Sequence, residues 1–167
     1  GKTIENYLDT RKYGDVMISL RPPADEWEIA WRENNRSHPL VKDWKFFGVG
    51  VVVKDCKIAR EYFSNLGFST EKEVHESKDL GVKFCHLRVG SIMFELIEPT
   101  ADDSIYLECL NTRGEGIADM SFIVKDLQSE AKDLEEKGAD ILFSTNECTL
   151  IDARKEGNTI IRLFKNV

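Results

Sequence analysis

The chain has 167 residues, 41% apolar and 32% charged, which fits one globular domain or one domain with an appended segment. Its 30 acidic residues outnumber 23 basic ones, for a formal net charge of −7. This balance argues against nucleic-acid or membrane partners, because both need clustered positive charge. The longest apolar run, residues 46–53, is too short to span a bilayer. Four cysteines without a Cys-x-x-Cys pair favour free thiols in a reducing cytoplasm.

Residues 1–21 are predicted to form a β-hairpin that resembles a later part of the chain. Residues 8–20 align with residues 151–163 at an offset of 143, and six of the 13 positions are identical. The hairpin therefore looks like the end of another copy of a module, although an accidental similarity between two surface hairpins is the alternative. Its strands should pair with a sheet edge of this chain or of a second one. Residues 22–44 are then predicted to form a short helix, over residues 24–34, followed by a linker.

A strand–helix unit occurs twice in the remaining chain. Val53-Lys54-Asp55 recurs as Val124-Lys125-Asp126, and each Asp is followed 12 residues later by a Gly. The Asp suits a helix N-cap and the Gly suits a left-handed C-terminal position. The repeat predicts a duplicated module over residues 45–167, with halves at about 45–100 and 114–167.

A tight turn at residues 90–91 predicts a second hairpin, from strands 82–89 and 92–97. A two-residue turn places His86 opposite Glu95 and Leu87 opposite Phe94. Period-two alternation then sorts the side chains to two faces. The helix-covered face comprises Cys85, Leu87, Val89, Ile92, Phe94 and Leu96 in the first half, and Ala118, Met120, Phe122 and Val124 in the second. The opposite face is apolar with a few charges, which describes a cleft, and comprises Phe84, His86, Arg88, Met93, Glu95, Ile97, Ile117, Asp119, Ser121, Ile123, Ile160, Arg162 and Phe164.

The order of these pieces resembles the vicinal oxygen chelate superfamily, in particular its methylmalonyl-CoA epimerase type. The resemblance lies in residues 48–55, 81–99, 103–104 with 116–119, and 150–163. It implies an α+β fold in which paired βαβββ modules form a glyoxalase-like curved sheet with a cleft, here with an extra N-terminal hairpin. Members of this superfamily include glyoxalase, epimerases, ring-cleaving dioxygenases and bleomycin-binding resistance proteins.

The resemblance also implies four metal-ligand positions, two from each half of the module. They fall on Gly48, Glu95, Asp119 and Arg162, of which Glu95 alone matches the usual ligand. A guanidinium at the last position would repel a divalent ion. We therefore expect no cofactor and predict that Arg162 pairs with Glu95, Asp119 or both. A one-histidine, two-carboxylate metal site of His86, Glu95 and Asp119 is the less favoured alternative.

The predicted function follows from the charged cleft face. The first hypothesis is an isomerase, epimerase or lyase acting next to a carbonyl of a small acyl compound, with Glu95, Asp119 or His86 moving protons. Ligand contacts would come from Arg162, Arg88, Ser121, Phe84 and Met93. There are three alternatives. Arg162 closes the site as a salt bridge and no reaction is catalysed, or the chain is a non-catalytic binding module of the resistance type, or it is an inactive half of a tandem protein. A homodimer in the cytoplasm is expected, and His75 is expected in a solvated loop.

Overall fold

A computed structural model describes residues 6–20, 26, 29, 43–90 and 92–165. The helix predicted over residues 24–34 falls, apart from residues 26 and 29, outside the described residues. The elements are β1 Asn6–Thr10, β2 Val16–Leu20, β3 Lys45–Val52, α1 Cys56–Asn65, β4 Ser69–Thr70, β5 His75–Ser77, β6 Val82–Val89, β7 Ile92–Pro99, α2 Ile105–Arg113, β8 Gly116–Val124, α3 Leu127–Glu136, β9 Ile141–Ser144, β10 Cys148–Ala153, α4 Arg154–Gly157 and β11 Thr159–Lys165. Within this described part, no helix combines the length and apolar character needed to cross a membrane.

The repeated Asp and Gly residues bound the two main helices as predicted. The Asp55 carboxylate accepts hydrogen bonds from the backbone N–H groups of Lys57 and Ile58 at the start of α1. Asp126 accepts one from the Ser129 N–H at the start of α3. Gly67 and Gly138 follow the helix ends with φ of 91° and 90°, a conformation that a Cβ atom disfavours.

One sheet carries both halves of the module. Its strand order is β4-β6-β7-β3-β8-β11-β10-β9, and β5 pairs separately with β6. In each half the first strand pairs in parallel with the last, β3 with β7 and β8 with β11. The two first strands, β3 and β8, pair antiparallel and join the halves. This arrangement confirms the predicted α+β class with paired βαβββ units.

Side chains that pack against the two main helices lie on the predicted face of the sheet, but Ala118 does not. Cys85, Leu87 and Leu96 pack with α1, and Ile161 and Leu163 pack with α3. Ala118, predicted on the helix-covered face, packs instead with Tyr106 of α2 on the opposite face. The cause is a β-bulge, because the pairing of β3 with β8 steps by one residue on β3 while it steps by two on β8. The prediction for Ala118 was wrong because strict alternation takes no account of bulges.

The N-terminal hairpin reproduces the β10–β11 hairpin in local geometry. Leu8 pairs with Ile18 and Ile151 with Ile161, so both hairpins have the same register at the offset of 143. Asp15 and Asn158 take positive φ, 43° and 52°, at the same position of the two connections. The shared conformation supports the resemblance between the two segments.

One of the two expected placements of the N-terminal hairpin, on a sheet edge of its own chain, is not what the structure shows, and pairing with a second chain stays a prediction. Among the described residues it forms its own two-stranded sheet and does not pair with an edge of the large sheet. Its side chains instead cover the apolar cluster around α1. Val16 lies within that cluster, and the Tyr13 ring contacts the Tyr62 ring at 5.1 Å. Burial of its apolar face, rather than strand pairing, attaches this hairpin to the rest of the chain.

Candidate functional site

On the sheet face predicted to form the cleft, the guanidinium of Arg162 on β11 is buried between two carboxylates. Its Nη1 lies 2.5 Å from Glu95 Oε1 and its Nη2 lies 3.3 Å from Asp119 Oδ1. Its Nε donates a hydrogen bond to the Ser121 hydroxyl at 3.2 Å, and its central carbon lies 4.9 Å from the Phe164 ring centroid. All three nitrogens therefore have partners, and the side chain is only 4% exposed. Burial opposes the charge, but Asp119 and Glu95 raise the pKa of Arg162 well above its usual value, so the group is a fixed cation.

The β3 strand lies between the two carboxylates and lets them approach. Gly50 is paired with Glu95 on one side and with Asp119 on the other. A Cβ atom at Gly50 would lie 2.3 Å from Asp119 Oδ2. A Cβ atom at Gly48 would lie 2.2 Å from the backbone oxygen of Met93. Because such distances are impossible for real atoms, both positions require glycine, and the acids reach Arg162 across a strand that has no side chain there.

Asp119 is fully buried and is satisfied by four donors. Its Oδ1 accepts hydrogen bonds from the Gly50 N–H at 3.1 Å and the Ser121 hydroxyl at 3.0 Å, and faces Arg162. Its Oδ2 accepts one from the Tyr106 hydroxyl at 2.8 Å. Burial raises the pKa of Tyr106 well above its usual value, which keeps this hydroxyl protonated. Tyr106 lies on α2, so the helix between the two halves seals this end of the network.

Glu95 connects Arg162 to a histidine. Its Oε1 contacts Arg162, and its Oε2 lies 2.8 Å from Nε2 of His86. Burial alone would raise the pKa of Glu95, but the charge of Arg162 and the hydrogen bonds from His86 and Arg162 outweigh burial and hold it at about 2. Glu95 is therefore an anion at any pH near neutrality.

His86 has a carboxylate at each ring nitrogen. In addition to Glu95 at Nε2, Glu71 Oε2 lies 2.9 Å from its Nδ1. The hydrogen bond to Glu95, opposed by burial, is the main cause that raises the pKa of His86. Two carboxylate acceptors favour the doubly protonated ring, since both nitrogens can then donate. The side chain of His86 is 21% exposed, compared with 44% for Glu71, 10% for Glu95 and 4% for Arg162.

Sequence reasoning missed Glu71 and Tyr106, which complete the network at its two ends. Glu71 follows β4 and reaches His86 because Ser69 and Thr70 pair with β6. It also lies 3.4 Å from His75 Nε2. The expectation of a loop at His75 was wrong, because this residue is in β5 opposite Phe84, although it is exposed. The pairing of β4 and β5 with β6 has no clear signature in such short polar segments.

The remaining predicted ligand contacts lie on β6 and β7 beside His86. Phe84 and Met93 are half-buried and Arg88 is exposed. Arg88 is paired with Met93, and the Phe84 ring lies 5.5 Å from the His86 ring. Ser121 and Arg162, by contrast, are buried within the network. The structure thus separates the predicted ligand residues into a buried group and an accessible group.

The residues at the superfamily's metal positions do not fit a divalent ion. Gly48 has no side chain and no space for one, and the guanidinium of Arg162 lies between Glu95 and Asp119. The alternative metal site of His86, Glu95 and Asp119 does not assemble for the same reason. In the described part of the chain, no three or more His, Cys, Asp or Glu side chains are placed to hold a metal ion.

A family model and a curated protein each match part of this chain. Residues 48–148 match the model of the glyoxalase/bleomycin resistance protein/dioxygenase superfamily. The uncharacterized protein YqjC of Bacillus subtilis (strain 168) is 30% identical over 98 residues, which cover 56% of this chain and 67% of that protein.

Solved structures show the same fold. Methylmalonyl-CoA epimerase from Mycobacterium tuberculosis superposes with a TM-score of 0.65 at 23% identity, covering 78% of this chain and 92% of the epimerase. A hypothetical protein from Bacillus halodurans C-125 superposes with a TM-score of 0.63 at 20% identity, covering 75% and 96%.

Proposed function

The chain belongs to the glyoxalase/bleomycin resistance protein/dioxygenase superfamily, and from that premise we propose that it binds a small acyl compound with an anionic group. The ligand would lie in the cleft against β6 and β7. Its anionic group would contact Arg88, and its apolar part would contact Phe84 and Met93. This is a ligand-binding role of the resistance-protein kind, one of the alternatives that the sequence leaves open.

The observation that supports this proposal is the contrast between saturated and accessible groups on one face. Glu95, Asp119 and Arg162 have their polar atoms occupied by one another and by protein donors. Arg88 is exposed on the same face of β6, so one accessible cation adjoins the half-buried side chains of Phe84 and Met93. Apolar walls with a few convergent polar groups are typical of small-molecule sites. An anionic ligand is favoured because it forms charge-assisted hydrogen bonds with the guanidinium of Arg88.

Binding can be tested with a matched pair of ligands. Titration calorimetry would compare 2-methyl acyl thioesters bearing a free carboxylate with their methyl esters. We expect the acid to bind and Arg88→Ala to weaken its binding by about tenfold, as the loss of a charged hydrogen bond implies. Lys83→Ala is the matched control, because Lys83 is also exposed on β6 but its ammonium faces Glu98. Equal binding of acid and ester, or equal effects of the two variants, would contradict the proposal.

A second candidate is an isomerase that moves a proton next to a carbonyl, and the position of His86 favours it. Such a reaction removes a proton from the carbon beside the carbonyl and returns one to the same carbon from the opposite face. His86 lies between the exposed Glu71 and the buried acids, and its hydrogen bond to Glu95 connects the surface to those acids. Proton exchange would pass through the His86 ring once its Nδ1 loses its proton and turns from Glu71 to the substrate.

Solvent exchange separates the two candidates. The same thioesters are incubated with the protein in deuterated water and examined by mass spectrometry. An isomerase incorporates deuterium next to the carbonyl, and His86→Gln abolishes incorporation. A binding protein yields unlabelled thioester in both cases. The homodimer, the cytoplasmic location and the role as half of a tandem protein stay predictions.

A further inference from the structure

We propose that the guanidinium of Arg162 has replaced the divalent ion at the junction of the two half-modules, so that this protein is complete there without metal. The proposal concerns the architecture of the network and does not depend on which ligand the cleft accepts. It therefore stands or fails separately from the proposed function.

The first support is the position of the guanidinium. Glu95 comes from the last strand of the first half and Asp119 from the first strand of the second. Arg162 comes from the last strand of the second half and bonds to both. One side chain thus connects acids from the two halves, as a shared ion would. The three nitrogens of a guanidinium spread in a plane, which allows three partners around one charge.

The second support is that β3 no longer has space for a ligand. A side chain at Gly48 would meet the backbone of Met93 rather than a flexible side-chain end. A donor at this position therefore requires a shift of β3 away from β7, which would also move Gly50, whose N–H donates to Asp119. The backbone, and not only the identity of one residue, is adapted to the arginine.

The third support is electrostatic. An ion entering between Glu95 and Asp119 would have to displace the Arg162 guanidinium, which is almost fully buried. A buried cation without its partners is strongly unfavourable. The closed network therefore excludes the ion that the same two carboxylates would otherwise attract.

The experiment compares two arginines that each face two carboxylates. Arg162 faces Glu95 and Asp119 in the cleft, and Arg154 faces Asp152 and Glu108 at the surface. The melting temperatures of the wild type, Arg162→Gln and Arg154→Gln are measured with EDTA and with Co²⁺, and the wild type is analysed for metal after dialysis. We expect Arg162→Gln to lower the melting temperature by about 10 °C and Arg154→Gln by less than about 4 °C.

The wild type is expected to retain no stoichiometric metal and to melt at the same temperature in EDTA and in Co²⁺. Stoichiometric metal that Glu95→Gln abolishes would overturn the proposal, as would equal effects of the two arginine variants. If Arg162→Gln yields no folded protein, Arg162→Lys keeps the charge without the planar fork. The lysine variant is then expected to fold with a lowered melting temperature, and a wild-type melting temperature in that variant would also overturn the proposal.

Discussion

Arg162 and Arg154 each form ion pairs with two carboxylates, but the two clusters differ in what surrounds them. Arg154 lies on the α4 turn, where Asp152 and Glu108 are its partners and its side chain is 25% exposed. Arg162 lies in the middle of β11. Its two partners are also held by other side chains: Tyr106 donates to Asp119, and His86 contacts Glu95. Water screens the first cluster and not the second. Each arginine has two ion pairs, so the difference between the two clusters lies in the burial of Arg162 and not in the number of ion pairs.

Glu95→Gln should have the largest effect on this comparison. The substitution keeps the shape of the side chain but removes the charge that faces Arg162 and His86. We expect the free energy of unfolding at pH 7 to fall by about 3–5 kcal/mol, the usual cost of breaking a buried ion pair. Urea denaturation measures the change. Asp152→Asn, at the surface cluster, should cost less than about 1 kcal/mol, and similar costs at the two sites would refute the contrast.

The second-largest effect is expected from acid, which lowers the stability of the protein by protonating Glu95 in the buried cluster. The pKa of Glu95 is about 2 in the folded protein and 4.5 in the reference state. Its contribution is complete above pH 4.5 and is lost as the pH falls towards 2, which corresponds to about 3 kcal/mol of stability. Urea denaturation between pH 7 and pH 2 should show this loss, and Glu95→Gln should flatten the profile. A variant with the same acid dependence as the wild type would contradict the assignment.

His86 should give a pH dependence of the opposite sign. In the folded protein, the pKa of His86 is raised above its usual value of 6.5. Its contribution is therefore complete below pH 6.5 and is lost as the pH rises through the folded-state pKa. NMR titration of the His86 ring carbons, in the folded protein and in urea, measures the pKa of His86 in the folded and unfolded states. His86→Gln should remove the alkaline part of the stability profile and reduce, without abolishing, the acid part that belongs to Glu95, because Arg162 still lowers the pKa of Glu95.

Tyr106→Phe should have a moderate effect. It deletes the hydroxyl that donates to Asp119 while the ring keeps its place between α2 and the sheet. We expect a loss of about 1.5–3 kcal/mol, as for a buried hydrogen bond to a charged group. Tyr62→Phe, at a half-buried tyrosine beside the α1 cluster, is the control in the same denaturation assay. A larger loss in the control would show that the hydroxyl of Tyr106 does not stabilise Asp119.

The smallest effect is expected in the N-terminal hairpin, where Asp9 and Arg11 form an exposed ion pair. Asp9 and Arg11 repeat the pairing of Asp152 with Arg154, with the same three nitrogens as donors. Both side chains are more than half exposed. Asp9→Asn should leave the melting temperature unchanged, since exposed ion pairs are screened by water. A clear decrease would mean that the hairpin depends on this pair rather than on Val16 and Tyr13.

Much of the fold was predictable because local rules determine it. The repeated Asp and Gly residues bound α1 and α3, and the register of β6 with β7 places His86 opposite Glu95 as a two-residue turn requires. The contact of Arg162 with Glu95 and Asp119 also agrees with its prediction. Burial leaves two such carboxylates few alternatives to a fixed cation. The catalytic and ligand-binding roles assigned to these residues stay predictions.

Other parts of the site could not be predicted, because they depend on contacts between distant segments. Tyr106 belongs to the segment between the halves, and nothing near it in the chain indicates that its hydroxyl reaches Asp119. Glu71 reaches His86 through the two-residue strand β4. The bulge that turns Ala118 towards α2 results from the pairing of β3 with β8.

The amino-acid sequence by itself determined which side chains share a face, since the alternation of a strand and the capping of a helix are properties of neighbouring residues. It also determined that a permanent cation and two acids lie on the cleft face. Only the tertiary structure decided which atoms meet and how far water is excluded. Burial and hydrogen-bond saturation are produced by the packing of α2 and of both half-modules together, and no short segment contains that information.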